Sequence, residues 1–476
     1  MNVATVILAA GQGTRMRSKL PKILHPLRGQ PMIDYTVNLA MQLSSQPPVL
    51  VVGHGAKLVH NQVGECVRYV LQETRLGTGH ALLQAQELLQ GRSEAVFVLY
   101  GDMPLLTPPT CSRVIESFSQ ATPTPAIAML TLTIPEGASS MGFGRVERDA
   151  QGRVTGVVEE FQATPEQLRL RELNCGIYCF RADWLWERLP KLPISSKGEY
   201  LLTDMVEVAA REGEPIIAVP VDDPDDVLGI NDRILLSQAE KILQRRINIE
   251  LMRGGVTLID PDTTYVDVGV QVAPDTIIYP NTHLLGDTSI EDDCMIGPNV
   301  VLRNTTVGPR CRIVASVLEE ASLGADVTVG PFGHLRTDAR LDNGVHMGNF
   351  GEVKNSYLGP GTKMGHFSYV GDATLGARVN IGAGTVTCNF DGQRKHATII
   401  GDDVFVGSGT MLRAPVVVGA GAKIGAGSVV THDVPANGLV YGSPARLHGL
   451  ARPDEVDAQP DDAVSLEERA AGEQGK

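Results

Sequence analysis

Two glycines and two cations near the N-terminus are suited to holding a phosphate. The segment LAAGQGTRM (residues 8–16) follows an apolar run and ends with Arg15 and Met16, and Lys22 follows in LPK. Glycines let a backbone approach a phosphate closely, and cations neutralise its charge. The segment is not the dinucleotide-binding pattern, which needs Gly where Met16 stands, nor a P-loop, because no Gly-Lys-Ser/Thr follows. Alone, G-x-G also fits an ordinary tight turn.

The elements around this segment predict where its side chains lie. Residues 1–227 alternate apolar strand-like runs, such as 3–10, 48–52 and 95–100, with helix-period stretches such as 79–89. That alternation predicts a mostly parallel α/β sheet, whose ligands bind beyond the carboxyl ends of the strands. The glycine segment and Gly101-Asp102 both follow strands. We therefore expect them to meet in one cleft.

A different period governs the second half of the chain. Residues 228–252 read as a linker, with a helix at 231–252 that Gly254-Gly255 ends. From about residue 253 to 452 aliphatic residues recur every six positions, as at 400, 406, 412, 418, 424 and 430. A six-residue step indicates a β-helix of hexapeptide repeats. The segment CNFDGQRKHATI, after Thr387, breaks the period and should project as a loop.

Composition limits the classes of function. The net charge of −14 argues against a general nucleic-acid or membrane surface, so we expect neither as a partner. The N-terminal apolar run is too short for a signal peptide or a membrane span. Seven cysteines without a CxxC pair favour a reducing cytoplasm. Residues 453–476 read as a disordered acidic tail.

These motifs together resemble a known family. LAAGQGTRM with LPK is similar to the sugar-nucleotide pyrophosphorylases. LGTGH (76–80), YGD (100–102) and the repeats narrow the resemblance to the bifunctional N-acetylglucosamine-1-phosphate uridyltransferases/glucosamine-1-phosphate acetyltransferases, over residues 3–450 in order. The resemblance implies a Rossmann-like α/β nucleotidyltransferase domain, then a left-handed parallel β-helix that assembles as a homotrimer. It also implies a product, UDP-N-acetylglucosamine, that feeds peptidoglycan and lipopolysaccharide synthesis.

For the N-terminal domain the resemblance implies transfer of uridylyl from UTP to N-acetylglucosamine-1-phosphate, with release of pyrophosphate. Arg15 and Lys22 would face the triphosphate, and Asp102 and Asn231 would bind Mg²⁺. Charge neutralisation and in-line positioning are the main demands of this chemistry. The remaining residues implied to hold the uracil, ribose and sugar are Leu8, Ala9, Ala10, Gly11, Gln72, Gly77, Thr78, Tyr100, Gly101, Gly144, Glu159 and Asn174.

For the β-helix the resemblance implies acetylation of glucosamine-1-phosphate by acetyl-CoA. Only the free amine attacks, so a base is needed, and the resemblance assigns His366, although a histidine in a repeat is ordinarily a surface or packing residue. Arg336 and Lys354 would clamp the phosphate, while Tyr369 and Asn380 would position the amino sugar. The implied acetyl-CoA contacts are Ala383, Asn389, Phe390, Lys395, Ser408, Ala426 and Arg446.

Several positions depart from the family pattern, and some alternatives stay open. Glu160-Phe161-Gln162 replaces a more basic stretch, Cys175 replaces a hydroxyl residue, and Phe390 replaces a tyrosine. Cys388 raises the idea of an acetyl-cysteine relay, although a packing role is the simpler reading. The chain would otherwise be a single-activity pyrophosphorylase with a structural β-helix, or a binding protein with a degenerate nucleotide cleft.

Overall fold

The computed structural model describes residues 1–140 and 142–451, so the predicted acidic tail lies outside the described residues. The chain forms two compact units, the first ending at Ile247 and the second beginning at Asn248. The helix Arg233–Arg253 runs through this division. Asp232 caps the helix, because its Oδ1 accepts hydrogen bonds from the backbone N–H groups of Ile234 and Leu235, each at 2.9 Å.

A nine-stranded sheet forms the centre of the first unit. Along the main path the strand order is Ile216–Pro220, Ile127–Thr133, Glu172–Arg181, Ala95–Tyr100, Val3–Leu8, Val49–Val52 and Arg68–Leu71. Two further strands, Gly144–Arg148 and Val154–Val158, branch from Glu172–Arg181. That strand is antiparallel to both of its neighbours on the path, and the other pairs on the path are parallel. The prediction of a mostly parallel sheet therefore holds along the main path.

The strand Val3–Leu8 shows why its sequence is continuously apolar. Ile7 packs into the core on one face of the sheet, whereas Val6 and Leu8 pack into the core on the other. A strand covered on both faces has no polar side to display. The α-helices that the described residues contribute to this unit are Met32–Leu43, Ala56–Val63, Thr78–Leu83, Gln86–Leu89, Pro108–Gln120, Ala182–Arg188, Asp204–Glu212 and Arg233–Arg253. The helical stretch expected at 79–89 is thus two short helices.

The second unit is a β-helix built from three long sheets, to which each coil contributes a strand in turn. Strand pairs between coils are parallel. The strands Gly438–Gly442 and Ala445–Leu450, at the end of the described part, pair antiparallel. Aliphatic residues at the six-residue step point inward: Val329, Leu335, Leu341, Met347, Leu358, Met364, Val370, Ile400, Val406, Leu412, Val418, Ile424 and Val430 are all at most 2% exposed. The predicted hexapeptide period is confirmed.

The strands of the three sheets have these bounds. The 12-stranded sheet contains Thr257–Leu258, Ile277–Ile278, Met295–Ile296, Arg312–Ile313, Thr328–Val329, His346–Met347, Lys363–Met364, Asn380–Ile381, Phe405–Val406, Lys423–Ile424, Gly438–Gly442 and Ala445–Leu450. The 10-stranded sheet contains Thr264–Val266, Thr282–Leu285, Val301–Arg303, Val317–Glu319, His334–Leu335, Gly351–Lys354, Ser368–Gly371, Val386–Cys388, Met411–Arg413 and Val429–Val430. The 9-stranded sheet contains Gln271–Val272, Ser289–Ile290, Thr306–Val307, Ser322–Leu323, Ala339–Leu341, Ser356–Leu358, Ala373–Leu375, Thr398–Ile400 and Val416–Val418.

Small residues behind the inward aliphatics let each coil turn closely against the next. A Cβ on Gly348 would lie 1.9 Å from the carbonyl oxygen of Gly365 in the following coil, which no side chain tolerates. The predicted interruption is a loop at residues 389–397, between the strands Val386–Cys388 and Thr398–Ile400.

Candidate active sites of the two units

A cavity of about 550 Å³ opens in the first unit, beyond the carboxyl ends of the strands Val3–Leu8 and Ala95–Tyr100. The expected cleft therefore exists, and it gathers most of the predicted N-terminal residues. Those that line it are Leu8, Ala9, Ala10, Gly11, Lys22, Gln72, Gly77, Thr78, Tyr100, Asp102, Gly144, Glu159, Asn174 and Asn231.

Lys22 is a cation that lines this cavity. Its Nζ donates a hydrogen bond to Asn231 Oδ1 at 3.0 Å and also contacts the Asp102 carboxylate. Gly13 holds the preceding turn at φ +64°, and a Cβ there would lie 2.5 Å from Lys22 Cβ. Glycine at position 13 is therefore required for the loop to pack against Lys22.

Asp102 and Asn231 present two oxygens to one cationic atom. The backbone N–H of Ile230 donates to the Asp102 carbonyl at 2.8 Å, which fastens the two segments together. The Lys22 ammonium marks the point on which both oxygens converge. A carboxylate and an amide oxygen fit a hard divalent cation that keeps water and phosphate oxygens as its other ligands. Within residues 1–140 and 142–451 no group of three or more His, Cys, Asp or Glu is placed to hold a metal.

A second loop closes the cavity on another side. Gln72 Nε2 donates to the Gly77 carbonyl at 3.1 Å, and Tyr200 N–H donates to the Leu76 carbonyl at 2.7 Å. Gly77 has φ +96°, and a Cβ there would lie 2.5 Å from the Tyr200 carbonyl oxygen. Thr78 Oγ1 accepts from the backbone N–H of Leu202 at 3.0 Å. These contacts fix the Gln72–Thr78 wall.

Acidic and hydroxyl groups surround the far end of the cavity. Thr203 Oγ1 donates to Glu159 Oε1 at 2.9 Å, and burial raises the pKa of Glu159. Burial, together with the carboxylates of Glu159 and Asp102, also raises the pKa of Tyr100, whose hydroxyl remains a donor at neutral pH. Asn174 Nδ2 donates to the Tyr178 hydroxyl at 2.6 Å. This end offers polar groups suited to a sugar.

The departures from the family pattern have definite places. Cys175 lines the cavity, and its burial raises the pKa of the thiol, so this group stays protonated. The Phe161 ring also lines the cavity, with the Lys197 ammonium 3.5 Å from its centroid. A cation over an aromatic face is attracted by the ring quadrupole. Lys197 is thus a cation beside the Phe161 ring, although it is not among the residues that line the cavity.

Arg15 and Gly101 are not among the residues that line the cavity. Arg15 is exposed in the short helix Thr14–Met16. Gly101 lies behind the wall, where a Cβ would come 3.0 Å from Ile33 Cδ1 and 3.2 Å from Ala9 Cβ. The lining residues that sequence reasoning missed include Arg75, Glu199 and Thr203; for these, no motif gave a signal.

The β-helix brings the predicted phosphate-binding residues together on the 10-stranded sheet. Arg336 Nη1 donates to Glu352 Oε1 at 2.8 Å. Glu352 in turn is aligned with Tyr369 on the next coil. Side-chain hydrogen bonding with Lys395, and then the positive charges of Lys395 and Arg336, lower the pKa of Lys354. Three neighbouring cations therefore face one region of the surface, as an anionic ligand requires.

His366 heads a row of predicted residues along one corner of the β-helix. Strand register aligns Lys363 with Asn380, Asn380 with Phe405, and Phe405 with Lys423 on successive coils. The residues three positions later in the sequence are, in the same order, His366, Ala383, Ser408 and Ala426. His366 is exposed, and its coil neighbour Phe367 is 60% exposed.

The projecting loop connects to the same surface. Asn389 Nδ2 contacts the Asp372 carboxylate and lies 3.5 Å from the Tyr369 hydroxyl. Phe390 is 61% exposed and forms an antiparallel bridge with Lys395. Asp391 accepts from two backbone N–H groups of the turn and from His396, which lowers the pKa of Asp391. The loop is thus held in a defined turn.

Cys388 and Arg446 are two further residues that the sequence analysis considered. Burial raises the pKa of the Cys388 thiol, which disfavours the thiolate that an acetyl-cysteine relay needs. Arg446 is exposed on the last described strand, aligned with Tyr441. All seven cysteines are free thiols. Within the described ranges, no helix has the length and apolar character needed to cross a membrane.

Comparison with known proteins gives the class of this chain. Residues 5–133 match the MobA-like NTP transferase domain, and residues 269–304 and 397–432 match the bacterial transferase hexapeptide (six repeats). The chain is therefore a nucleotidyltransferase domain joined to a hexapeptide transferase domain. The fold class predicted from the sequence, a Rossmann-like α/β domain followed by a left-handed parallel β-helix, is confirmed.

Relatives over nearly the whole length narrow the class to one family. The Bifunctional protein GlmU of Pelobacter propionicus is 46% identical over 443 residues, 92% of this chain and 95% of the relative. The Bifunctional proteins GlmU of Trichlorobacter lovleyi and Exiguobacterium sibiricum are 45% and 42% identical, over 92% and 95% of this chain and 95% and 100% of theirs. The chain belongs to the bifunctional GlmU family, as its motifs indicated.

Proposed function

We propose that this chain carries out both transfers of UDP-N-acetylglucosamine synthesis, one in each unit. Acetyl-CoA acetylates glucosamine-1-phosphate on the β-helix, and the first unit then transfers uridylyl from UTP to N-acetylglucosamine-1-phosphate. The observation that carries the proposal is the single cavity in which Lys22, Asp102 and Asn231 converge below the glycine loop. Uridylyl transfer needs no residue of the second unit, yet that unit carries cations and His366 on its surface.

In the uridylyl transfer, a phosphate oxygen of the sugar phosphate attacks the α-phosphorus of UTP and pyrophosphate leaves. The chain needs no nucleophile of its own, so its residues position substrates and balance charge. A Cβ on Gly11 would meet no other atom within 4 Å, so the loop leaves room for a phosphate at this position. We assign Lys22 and Arg15 to the triphosphate, and Gln72, Gly77 and Thr78 to the nucleoside. Glu159 and Asn174 are assigned to the sugar.

The metal implied by the family fits the Asp102–Asn231 pair, and we propose Mg²⁺ there. When bound, Mg²⁺ would reduce the repulsion between the anionic phosphate groups. The chain's contribution is to hold the two oxygens, because Ile230 ties Asn231's segment to Asp102. Lys22 contacts both oxygens, so it would release one or both to a bound ion, and its ammonium would then be free to face the leaving pyrophosphate.

In the acetyl transfer, the amine of glucosamine-1-phosphate attacks the thioester carbon of acetyl-CoA and the CoA thiolate leaves. We assign His366 to accept the proton from the amine and Arg336 and Lys354 to the phosphate. Asn389 and Tyr369, which lie side by side, would orient the amino sugar and the thioester. The row that runs from His366 along Ala383, Ser408 and Ala426 gives an extended cofactor a straight track.

The remaining assignments concern assembly and organisation. We propose a homotrimer, in which neighbouring copies cover the exposed His366 corner and complete the acetyltransferase site. We propose residues 1–227, 228–252 and 253–452 as catalytic domain, linker and acetyltransferase domain, and the cytoplasm as location. Neither nucleic acid nor a membrane is proposed as a partner.

The decisive experiment follows free CoA and pyrophosphate separately from glucosamine-1-phosphate, acetyl-CoA, UTP and Mg²⁺. Both products should appear, and His366→Ala should reduce CoA release by about 100-fold or more while pyrophosphate release from supplied N-acetylglucosamine-1-phosphate stays unchanged. His346→Ala, at an exposed histidine one coil earlier, is the matched control. Pyrophosphate alone, and only with pre-acetylated substrate, would reduce the β-helix to a structural domain.

A further inference from the structure

Arg75 is a charged side chain on the nucleotide cavity to which neither the family pattern nor the mechanism above gives a role. It lies in the Gln72–Thr78 wall and lines the cavity, although its side chain is exposed. Its Nη1 donates to Gln12 Oε1 at 2.7 Å, so the guanidinium reaches across to the glycine loop. Among the described residues, no carboxylate lies within ion-pair distance of Arg75.

The charges that line the cavity show why this cation matters. The cationic side chains among the lining residues are Lys22 and Arg75, and the carboxylates are Asp102, Glu159 and Glu199. Lys22 is already paired with Asp102, and Arg15, which we also assign to the triphosphate, lies outside the cavity lining. A triphosphate therefore enters a cavity whose lining carries more negative than positive groups. Arg75 is the lining cation, within the described ranges, whose positive charge no carboxylate offsets.

The backbone around Arg75 holds it at this place. Gly77, two residues on, approaches Tyr200 too closely for any side chain, and Gln72 donates to the Gly77 carbonyl. The partner on the other side, Gln12, stands between the two glycines of the loop. A neutral amide is a weak competitor for a guanidinium, which binds phosphate oxygens through paired, charge-assisted hydrogen bonds.

We propose that Arg75 binds a phosphate group of the nucleoside triphosphate, exchanging Gln12 for phosphate oxygens when the nucleotide enters. The guanidinium then closes the gap between the Gln72–Thr78 wall and the glycine loop over the phosphate chain. This inference rests on the proposed uridylyl transfer and adds to it a nucleotide-affinity residue. Arg75 contributes mainly to binding, so its loss should raise KM for UTP more than it lowers kcat.

The test compares Arg75→Gln with the parent protein by calorimetric titration with UTP and, separately, with uridine, in Mg²⁺. We expect UTP to bind about tenfold more weakly, equivalent to about 1.4 kcal/mol, with uridine binding unchanged. The UTP affinity of Arg75→Lys should lie between those of Arg75→Gln and the parent protein, because lysine keeps the positive charge but lacks the paired N–H donors of the guanidinium. Arg92→Gln, an exposed arginine of the same unit that does not line the cavity, should bind UTP as the parent does.

A second variant separates phosphate binding from a structural clasp. Gln12→Ala removes the present partner of Arg75 and should leave UTP affinity equal or higher. If Gln12→Ala weakens UTP as much as Arg75→Gln, or if Arg75→Gln weakens uridine equally, Arg75 is a loop clasp or a base contact and the proposal is overturned. UTP affinity unchanged in Arg75→Gln overturns it too. Failure of the proposed function is distinguishable, because the parent protein would then release no pyrophosphate at all.

Discussion

The two candidate sites differ in how far a single chain encloses them. In the first unit, Lys22, Asp102 and Asn231 meet inside a cavity of about 550 Å³. In the second, His366 stands on an exposed corner next to Phe367, which is 60% exposed, and Phe390 of the projecting loop is 61% exposed. The first site therefore holds its polar groups in contact with one another, whereas the second presents its groups on an open face.

This difference follows from what each fold provides. Loops at the carboxyl ends of a twisted sheet surround a space and bring distant residues into it. A β-helix instead has a packed interior with no room for a ligand, so its functional side chains point outward. An outward site gains enclosure only from a loop or from another copy of the chain. The proposed trimer is the source of enclosure that fits the position of the His366 row.

The largest effect should come from the enclosed site. Asp102→Ala removes the carboxylate that pairs with Lys22 and faces the proposed metal. We expect pyrophosphate release to fall by about 1000-fold, the upper end of the about 100- to 1000-fold that loss of one preorganised electrostatic group at a reacting centre costs. CoA release should stay within about twofold of the parent, because the acetyl-transfer residues lie in the second unit.

The control for this variant is Glu65→Ala, at a carboxylate that is 88% exposed. It should leave both activities unchanged. Equal loss of both activities in Asp102→Ala would mean that the two sites are not independent, and the comparison drawn above would fail.

Dilution should separate the two sites next. If neighbouring copies complete the His366 corner, acetyl transfer per chain must fall once the protein is diluted below its association range, by about tenfold for a tenfold excess of dissociated chains. Uridylyl transfer per chain should not change, since one chain forms the whole cavity. Both rates are measured against protein concentration, with mass photometry reporting the oligomer. A constant acetyl-transfer rate across dissociation would show that the open face is active by itself.

The same contrast governs what the sequence predicts. The interior of the β-helix was predictable residue by residue, because inward-facing residues recur at a fixed step and pack against the equivalent residues of the next coil. The cavity was predictable only where motifs mark it, as at Gly11, Gly77 and Asp102. Gln12 and Arg75 are 63 residues apart and meet only in the fold. No local pattern announces such a pair.

Motifs also identify residues without giving the direction of their side chains. Arg15 and Gly101 belong to the motifs that carried the resemblance, yet neither lines the cavity. Gly101 instead provides space for close packing against Ile33 and Ala9. No sequence motif marks Thr203, but its hydroxyl donates a hydrogen bond that orients Glu159. Positioning residues of this kind become visible only when distances are known.

A smaller effect tests how the enclosed site holds its charges. Lys22 occupies the point on which Asp102 and Asn231 converge, so a divalent cation must displace an ammonium group. Lys22→Met should therefore tighten Mn²⁺ binding in the absence of nucleotide. The expected change is about tenfold if the contacts of Lys22 with Asp102 and Asn231 are worth about 1.4 kcal/mol. The same variant should lower the rate of uridylyl transfer. Electron paramagnetic resonance of free Mn²⁺ measures the affinity. Lys19→Met, an exposed lysine of the same loop, is the control; weaker Mn²⁺ binding in Lys22→Met would contradict the exchange.

The smallest effect concerns Asp204, which follows the lining residue Thr203. Burial, then Glu207 and Glu159, raises the pKa of Asp204 to about 6. Between pH 4 and 6 the folded chain therefore holds a proton that the unfolded chain has lost, so the fold loses stability as pH rises through this window. Asp204→Asn should remove that slope. At pH 7 it should stabilise the fold by about 1 kcal/mol, less than the about 3 kcal/mol of a fully buried group, because Asp204 is partly exposed.

The pH slope is the better readout of this variant than stability at a single pH. Asp204 begins the helix Asp204–Glu212, and a carboxylate there gains about 0.3–1 kcal/mol from the helix dipole, which asparagine gives up. That loss offsets part of the gain at pH 7 but does not restore a slope between pH 4 and 6. Thermal unfolding from pH 4 to 8 should therefore show a flatter dependence of stability on pH for Asp204→Asn. Glu207→Gln should reduce the slope of the parent protein only slightly. An unchanged slope in Asp204→Asn would place the excess proton on Glu159, whose pKa burial also raises.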